Sequence, residues 1–206
     1  GQKHLSIPLP AELYGQLRAN SKGLDLANDS ELAQLNQTAQ QFAKHQWSAA
    51  PMGEHFQTND AVAPQSIINP ARHTDVVGYV QEATTEQVEQ ALNNAQAVQD
   101  IWARTAKDTR ASYLLRAADL MEARLEELMV LLCRESGKTY ANAIAEVREA
   151  VDFLRYYATQ MIDLDANAEV EPLGTMLCIS PWNFPLAIFT GQVAAALVAG
   201  NTVIAK

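Results

Sequence analysis

The chain has 206 residues, of which 48% are hydrophobic and 19% are charged, and its formal net charge is −9 at pH 7. These values are typical of a folded domain with a substantial core and exclude a disordered chain, and the acidic balance argues against nucleic-acid binding by this segment. No apolar run is long enough to predict a transmembrane segment, and the two cysteines are too few for a disulfide framework, which favours a reducing, cytoplasmic location.

The N-terminal part is predicted to be an arm followed by one helix. Residues 1–27 show no sustained hydrophobic periodicity, so we expect an extended arm. The helix is predicted from Ser30, its N-cap, to about His45. Residues 48–64 contain two prolines and are predicted to be a loop. We divide the chain into an inter-domain linker region, residues 1–49, and one α/β domain, residues 50–206.

The next section is predicted to form two strands and three helical regions. The strands lie within "QSIINPARHTDVVGYVQEA" and are joined by a turn that begins near Pro70. Thr84 and Gln87 form a capping-box pair at the start of the first helix. The second helical region is interrupted near Arg124 and ends at Gly137. The three helical regions span about residues 83–102, 108–134 and 139–161.

The C-terminal section is predicted to form a strand, a helix and a second strand. "GTMLCIS" and "TVIAK" are apolar runs of strand length, as in parallel strands covered on both faces. "LAIFTGQVAAALVAG" lies between them and is typical of a helix rich in small residues. This order predicts a βαβ unit. Because a domain rarely ends on an unpaired buried strand, we expect the sequence to be a truncated part of a larger protein.

A lone amide follows the first of these strands, in the stretch "CISPWNFPLA". Asn183 lies between two aromatic residues and two prolines, at the point where the strand ends. The spacing alone leaves two interpretations open. The side chain either caps the following helix or donates a hydrogen bond into a cleft.

Other candidate motifs do not satisfy their patterns. "ESGKT" imitates the end of a phosphate-binding loop, but Leu132 stands where that pattern requires glycine, and a helix precedes it instead of a strand. The four histidines lack metal-ligand spacing, so no metal site is predicted. Cys133 and Cys178 lie in apolar patterns and are interpreted as core residues instead of nucleophiles. No G-x-G-x-x-G follows the first C-terminal strand.

The combination of motifs resembles the aldehyde dehydrogenase superfamily. "GTMLCISPWNFPLAIFTGQVAAALVAGNTVIAK" is similar to that family's first βαβ unit, and "INPARHTDVVGYVQEATTEQVEQALNNAQAVQDIW" is similar to its opening hairpin and first helix. The resemblance covers about residues 60–206. It implies an α/β fold, with helices and the first βαβ unit of a Rossmann-like parallel sheet, in an incomplete NAD-binding domain.

Two features resemble the bifunctional proline utilization A flavoenzymes in particular: the arm "LRANSKGLDLANDSELAQL" and the short connection before Leu173. This resemblance implies an NAD-dependent L-glutamate γ-semialdehyde dehydrogenase whose small-molecule aldehyde arises from 1-pyrroline-5-carboxylate. It also implies a proline dehydrogenase domain with FAD in the same parent chain, and it is compatible with a homodimeric parent. The catalytic cysteine and general-base glutamate of the family belong to later sequence, so we expect this stretch alone to be inactive.

The resemblance assigns roles to individual residues. Asn183 matches the amide that stabilises the oxyanion, and Glu149 matches an acidic residue that receives the substrate's α-ammonium group. Phe184 matches a position that packs beside the aldehyde. Five residues match the lining of the cofactor cleft: Ile179, Ser180, Pro181, Trp182 and Lys206. Two alternatives remain: an aldehyde dehydrogenase for another substrate, and a non-catalytic interaction module.

Overall fold

The computed structural model describes residues 4, 6–53, 63–164 and 170–206. In these ranges the α-helices are α1 (Asp29–Gln41), α2 (Thr85–Arg104), α3 (Lys107–Ala123), α4 (Leu125–Ser136), α5 (Tyr140–Asp163) and α6 (Ala187–Val198). The strands are β1 (Trp47–Ala49), β2 (Gln65–Ile68), β3 (Val76–Val80), β4 (Met176–Cys178) and β5 (Val203–Ala205). None of the described helices is long and apolar enough to cross a membrane.

Helix α5 lies at the centre of the core and packs against α3, α4 and α6. Its apolar residues recur at helical spacing, so that one stripe faces its neighbours. The periodicity of the sequence predicts a buried face on this helix, and all five residues of that face are buried: Ile144, Val147, Val151, Leu154 and Ala158. Val147 and Val151 are almost fully buried, and Met129 of α4 and Leu35 of α1 join the same cluster. The long helix therefore provides a rigid frame for the elements that follow it.

The observed helix ends test the caps and stop signals that were predicted from the sequence. The capping box of Thr84 and Gln87 at α2 is present, and Arg124 separates α3 from α4 as predicted. Gly137 ends α4 in the left-handed conformation, with φ 67°, which glycine adopts without steric cost. The prediction for α1 is wrong in detail. Asn28 is its N-cap and accepts from the backbone of Ser30, and the helix ends at Gln41.

The first sheet has the strand order β1-β3-β2. The pairing of β2 with β3 is antiparallel, as the predicted hairpin requires, whereas β1 pairs with β3 in parallel and was predicted to be loop. A Cβ built on Gly78 would lie 2.1 Å from the carbonyl oxygen of Trp47. The close approach of β1 therefore depends on the missing side chain at position 78.

The N-terminal segment packs on α5 instead of extending away from it. Ser21 is buried, its backbone N–H donates to Asp152 Oδ1 at 2.8 Å, and its hydroxyl donates to Asp152 Oδ2 at 2.8 Å. Arg148 also donates to the Ser21 hydroxyl, at 3.2 Å. A short 3-10 turn, Pro10–Glu12, precedes this contact. The expectation of an extended arm is therefore wrong, because polar side chains of α5 bind its backbone.

The C-terminal βαβ unit forms as predicted. Strands β4 and β5 are parallel and adjacent, with Leu177 opposite Ile204, and α6 connects them. Cys178 is only 6% exposed, but Leu177 is 63% exposed. Alternate strand residues face opposite sides of a sheet. The described residues cover one face of this pair, and cover on the other face stays a prediction.

Candidate active site

The turn after β4 brings most of the predicted site residues to one edge of the sheet. The backbone N–H of Lys206 donates to the Cys178 carbonyl oxygen at 2.8 Å, and the Ser180 N–H donates to the Lys206 carbonyl oxygen at 3.3 Å. These bonds extend the pairing past the ends of β4 and β5. Ile179 and Ser180 therefore lie beside Lys206 at the carboxyl ends of two parallel strands, where open α/β sheets bind ligands.

Large apolar side chains are exposed at this edge. Trp182 is 87% exposed and Ile179 is 55% exposed, and Phe184 follows two residues later. Burying such large apolar side chains would be favourable, so their exposure indicates a surface that receives another group. Lys206 adds an exposed ammonium group to the same edge.

Asn183 is exposed, and it is not the cap of the following helix. The N-cap of α6 is Leu186, whose side chain cannot accept a hydrogen bond. Instead, Glu146 of α5 accepts from the backbone N–H groups of Leu186 at 2.8 Å and Ala187 at 3.3 Å through its Oε1 atom. The capping interpretation of Asn183 is therefore wrong, and its side-chain amide is left available for another group.

Two residues that sequence reasoning did not assign to the site hold this turn from behind. Lys138 Nζ donates to the backbone carbonyl oxygen of Asn183 at 2.9 Å and lies 2.8 Å from Glu146 Oε2. The same ammonium group lies 4.8 Å from the ring centroid of Phe184. Lys138 belongs to the "ESGKT" stretch, which joins α4 to α5. Neither its spacing nor its type indicated a contact with a turn so far along the chain.

Glu149 lies elsewhere on α5. It is exposed and lines a cavity of about 470 Å³ whose lining residues include none of residues 179–184. Arg18 of the N-terminal segment and Arg148, Asp152 and Phe153 of α5 also line this cavity. Among the described residues, no hydrogen bond or ion pair engages the Glu149 carboxylate.

Neither cysteine has the surroundings of a nucleophile. Burial raises the pKa of the Cys133 thiol and of the Cys178 thiol above their usual value. A raised pKa disfavours the reactive thiolate. This agrees with the prediction that both are core residues. No group of histidine, cysteine and carboxylate side chains among the described residues is arranged to hold a metal ion.

The sequence profile described as "Aldehyde dehydrogenase family" matches residues 56–206. The chain therefore belongs to the aldehyde dehydrogenase family, and the resemblance found in its motifs is confirmed.

The chain is similar to relatives named PutA and 1-pyrroline-5-carboxylate dehydrogenase. The chain is 55% identical over 206 residues to the bifunctional protein PutA of Escherichia coli (strain K12), covering all of this chain and 16% of the relative. It is 38% identical to the 1-pyrroline-5-carboxylate dehydrogenase of Anoxybacillus flavithermus (strain DSM 21510 / WK1), covering 87% of this chain and 37% of the relative.

A solved structure of 1-pyrroline-5-carboxylate dehydrogenase from Thermus with bound NAD superimposes with a TM-score of 0.81 at 29% identity. It covers 89% of this chain and 38% of that one. This agreement confirms the predicted fold class. The chain thus spans well under half the length of each of these relatives.

Proposed function

We propose that this chain supplies the first βαβ unit and the oxyanion-binding amide of an NAD-dependent L-glutamate γ-semialdehyde dehydrogenase, which oxidises the semialdehyde to glutamate in proline catabolism. The observation that carries the proposal is the exposed Asn183 side chain, uncommitted to its own helix, at the carboxyl end of β4. The relatives named PutA and 1-pyrroline-5-carboxylate dehydrogenase support the substrate class.

The amide fits the chemistry of aldehyde oxidation. When a nucleophile attacks an aldehyde carbon, the carbonyl oxygen becomes an alkoxide, and a preorganised N–H donor stabilises charge that is absent from the ground state. Asn183 would be such a donor. Phe184, the next residue, would pack beside the aldehyde and help to fix its orientation.

The exposed edge of β4 and β5 fits a dinucleotide. Ile179 and Trp182 offer apolar surface, the backbone of Ser180 and Pro181 continues the strand end, and Lys206 offers an ammonium donor to ribose hydroxyl groups. NAD, when bound, supplies the hydride acceptor. We propose that these five residues form part of its cleft.

Glu149 is proposed to receive the α-ammonium group of the semialdehyde. A carboxylate with no partner among the described residues, in a cavity of about 470 Å³, can pair with a cationic substrate group. An aliphatic aldehyde lacks that group, so this residue would set specificity instead of chemistry.

The bifunctional name of the PutA relative supports a proline dehydrogenase domain in the parent protein. An FAD cofactor in that domain, a cytoplasmic location and a homodimeric parent stay predictions, as does the boundary between residues 1–49 and 50–206.

The proposal is tested by measuring NAD reduction by the full-length protein with L-glutamate γ-semialdehyde as the substrate. Wild type should oxidise the semialdehyde, and Asn183→Ala should lower kcat by about 10²- to 10³-fold, the usual cost of losing one oxyanion donor. Asn93→Ala is the matched control, because it removes an exposed amide on α2 at a position away from the site and should leave kcat unchanged. Near-normal kcat in Asn183→Ala would remove the residue from the mechanism.

A further inference from the structure

We infer that the buried pair Lys138–Glu146 is a positioning device that holds Asn183 at its place in the oxyanion site. The inference rests on the proposed function, since it concerns how the same site is kept in register. It assigns no contact with substrate or cofactor to either residue.

The pair is largely removed from water, Glu146 more completely than Lys138. The Lys138 side chain is 13% exposed and the Glu146 side chain is 1% exposed. Taking both charges out of water costs free energy that their attraction roughly offsets, so such a pair is weak evidence for stability by itself. What it does provide is a fixed geometry between the elements that it joins.

Its contacts converge on the turn that carries Asn183. Lys138 Nζ donates to the Asn183 carbonyl oxygen at 2.9 Å. Glu146 accepts from the first backbone N–H groups of α6, so it fixes the other end of the turn. The pair therefore clamps both ends of residues 183–186 to α5, the rigid centre of the core.

The Asn183 residue has few other restraints. Its side chain is exposed, and the bond from Lys138 is the only hydrogen bond that involves Asn183 among the described residues. An amide that must meet a developing charge has to be placed to within a fraction of an ångström. The geometry assigns that restraint to Lys138.

The two opposite charges of the pair sum to zero net charge. Because the pair is inferred to act by placing Asn183, disrupting it should lower kcat only while the Asn183 amide is present. Glu146 Oε2 has no partner other than Lys138 among the described residues, so removing the ammonium group leaves that oxygen unpaired.

The test is a double-mutant cycle in the full-length enzyme. Lys138→Met should lower kcat for semialdehyde oxidation by about 10- to 100-fold, the cost of misplacing a catalytic group by about 1 Å, with KM for NAD changed less than about twofold. Combined with Asn183→Ala, the same substitution should lower kcat less than about twofold further, because the effect has already been lost. Equal losses in both backgrounds would overturn the inference and show a general structural role.

Glu146→Gln provides the same test with a milder change. Glutamine keeps an oxygen that can accept from the Leu186 and Ala187 N–H groups, but it loses the ion pair with Lys138. If Lys138→Met cannot be purified in folded form, this variant takes its place in the cycle, with the same criterion. A normal kcat in Asn183→Ala alone would instead contradict the proposed function, so the two failures are distinguishable.

Discussion

Glu149 gives the sharpest test of substrate class. We expect Glu149→Gln in the full-length enzyme to raise KM for L-glutamate γ-semialdehyde while leaving KM for a simple aliphatic aldehyde nearly unchanged. The substitution keeps the shape of the side chain and removes the charge that would pair with the α-ammonium group.

The expected size follows from the surroundings of Glu149. A hydrogen bond to a charged group contributes about 1.5–3 kcal/mol. Glu149 is exposed, and solvent screening places its contribution at the lower end of that range. About 1.5 kcal/mol corresponds to roughly a tenfold change in affinity. Asp152, the other carboxylate of the cavity, already accepts two hydrogen bonds from Ser21 and lies 3.8 Å from the Arg18 guanidinium, so Glu149 is the carboxylate more available to a cation.

The assay compares kcat/KM for the two aldehydes by following the reduced cofactor. Glu89→Gln on α2 is the matched control, since it makes the same chemical change at an exposed position away from the cavity. Equal losses on both aldehydes, or none on either, would refute the assignment of Glu149 to the ammonium group.

Two further predictions concern the fragment and its fold. The isolated 206-residue chain should show no NAD-dependent aldehyde oxidation, because it lacks a cysteine in a reactive setting; turnover by purified material would contradict this. Arg134 forms a buried ion pair with Asp75, the residue before β3, at 2.7 Å. Arg134→Met should raise amide exchange in β3 of the full-length protein by about 10²-fold or more, since breaking a buried pair costs about 3–5 kcal/mol. Hydrogen bonds from Arg134 and Asn69 hold the pKa of Asp75 below its usual value, so this contribution is present above about pH 4 and is lost as the pH falls through the folded-state pKa. The ratio of variant to wild-type exchange should therefore shrink in acid, and a ratio independent of pH would contradict the role of the pair.

Elements with a long periodic pattern could be predicted from the sequence. The stripe on α5, the capping box at Thr84 and the glycine stop at Gly137 are local signals, and each is found where it was expected. Strand β1 could not be found in this way, because three residues carry little periodicity. Its pairing depends on a close approach to Gly78, which lies far along the chain.

Some residues of the candidate site could be predicted from the sequence, and others could not. Residues 179–184 are contiguous and carry a recognisable motif, so their shared location at the end of β4 follows from the sequence. The contact of Lys138 with Asn183 depends on how the α4–α5 connection packs against the turn before α6. Such a contact has no local signal. The capping of α6 by a carboxylate from another helix was missed for the same reason.

The most direct test of the central claim is the first turnover of the full-length enzyme with saturating NAD and L-glutamate γ-semialdehyde. Formation of the reduced cofactor in that turnover reports the steps in which the alkoxide is stabilised, before product release. We expect Asn183→Ala to slow this phase by about 10²- to 10³-fold, while the cofactor still binds. A first turnover as fast as that of wild type would contradict the claim that this amide stabilises the developing charge.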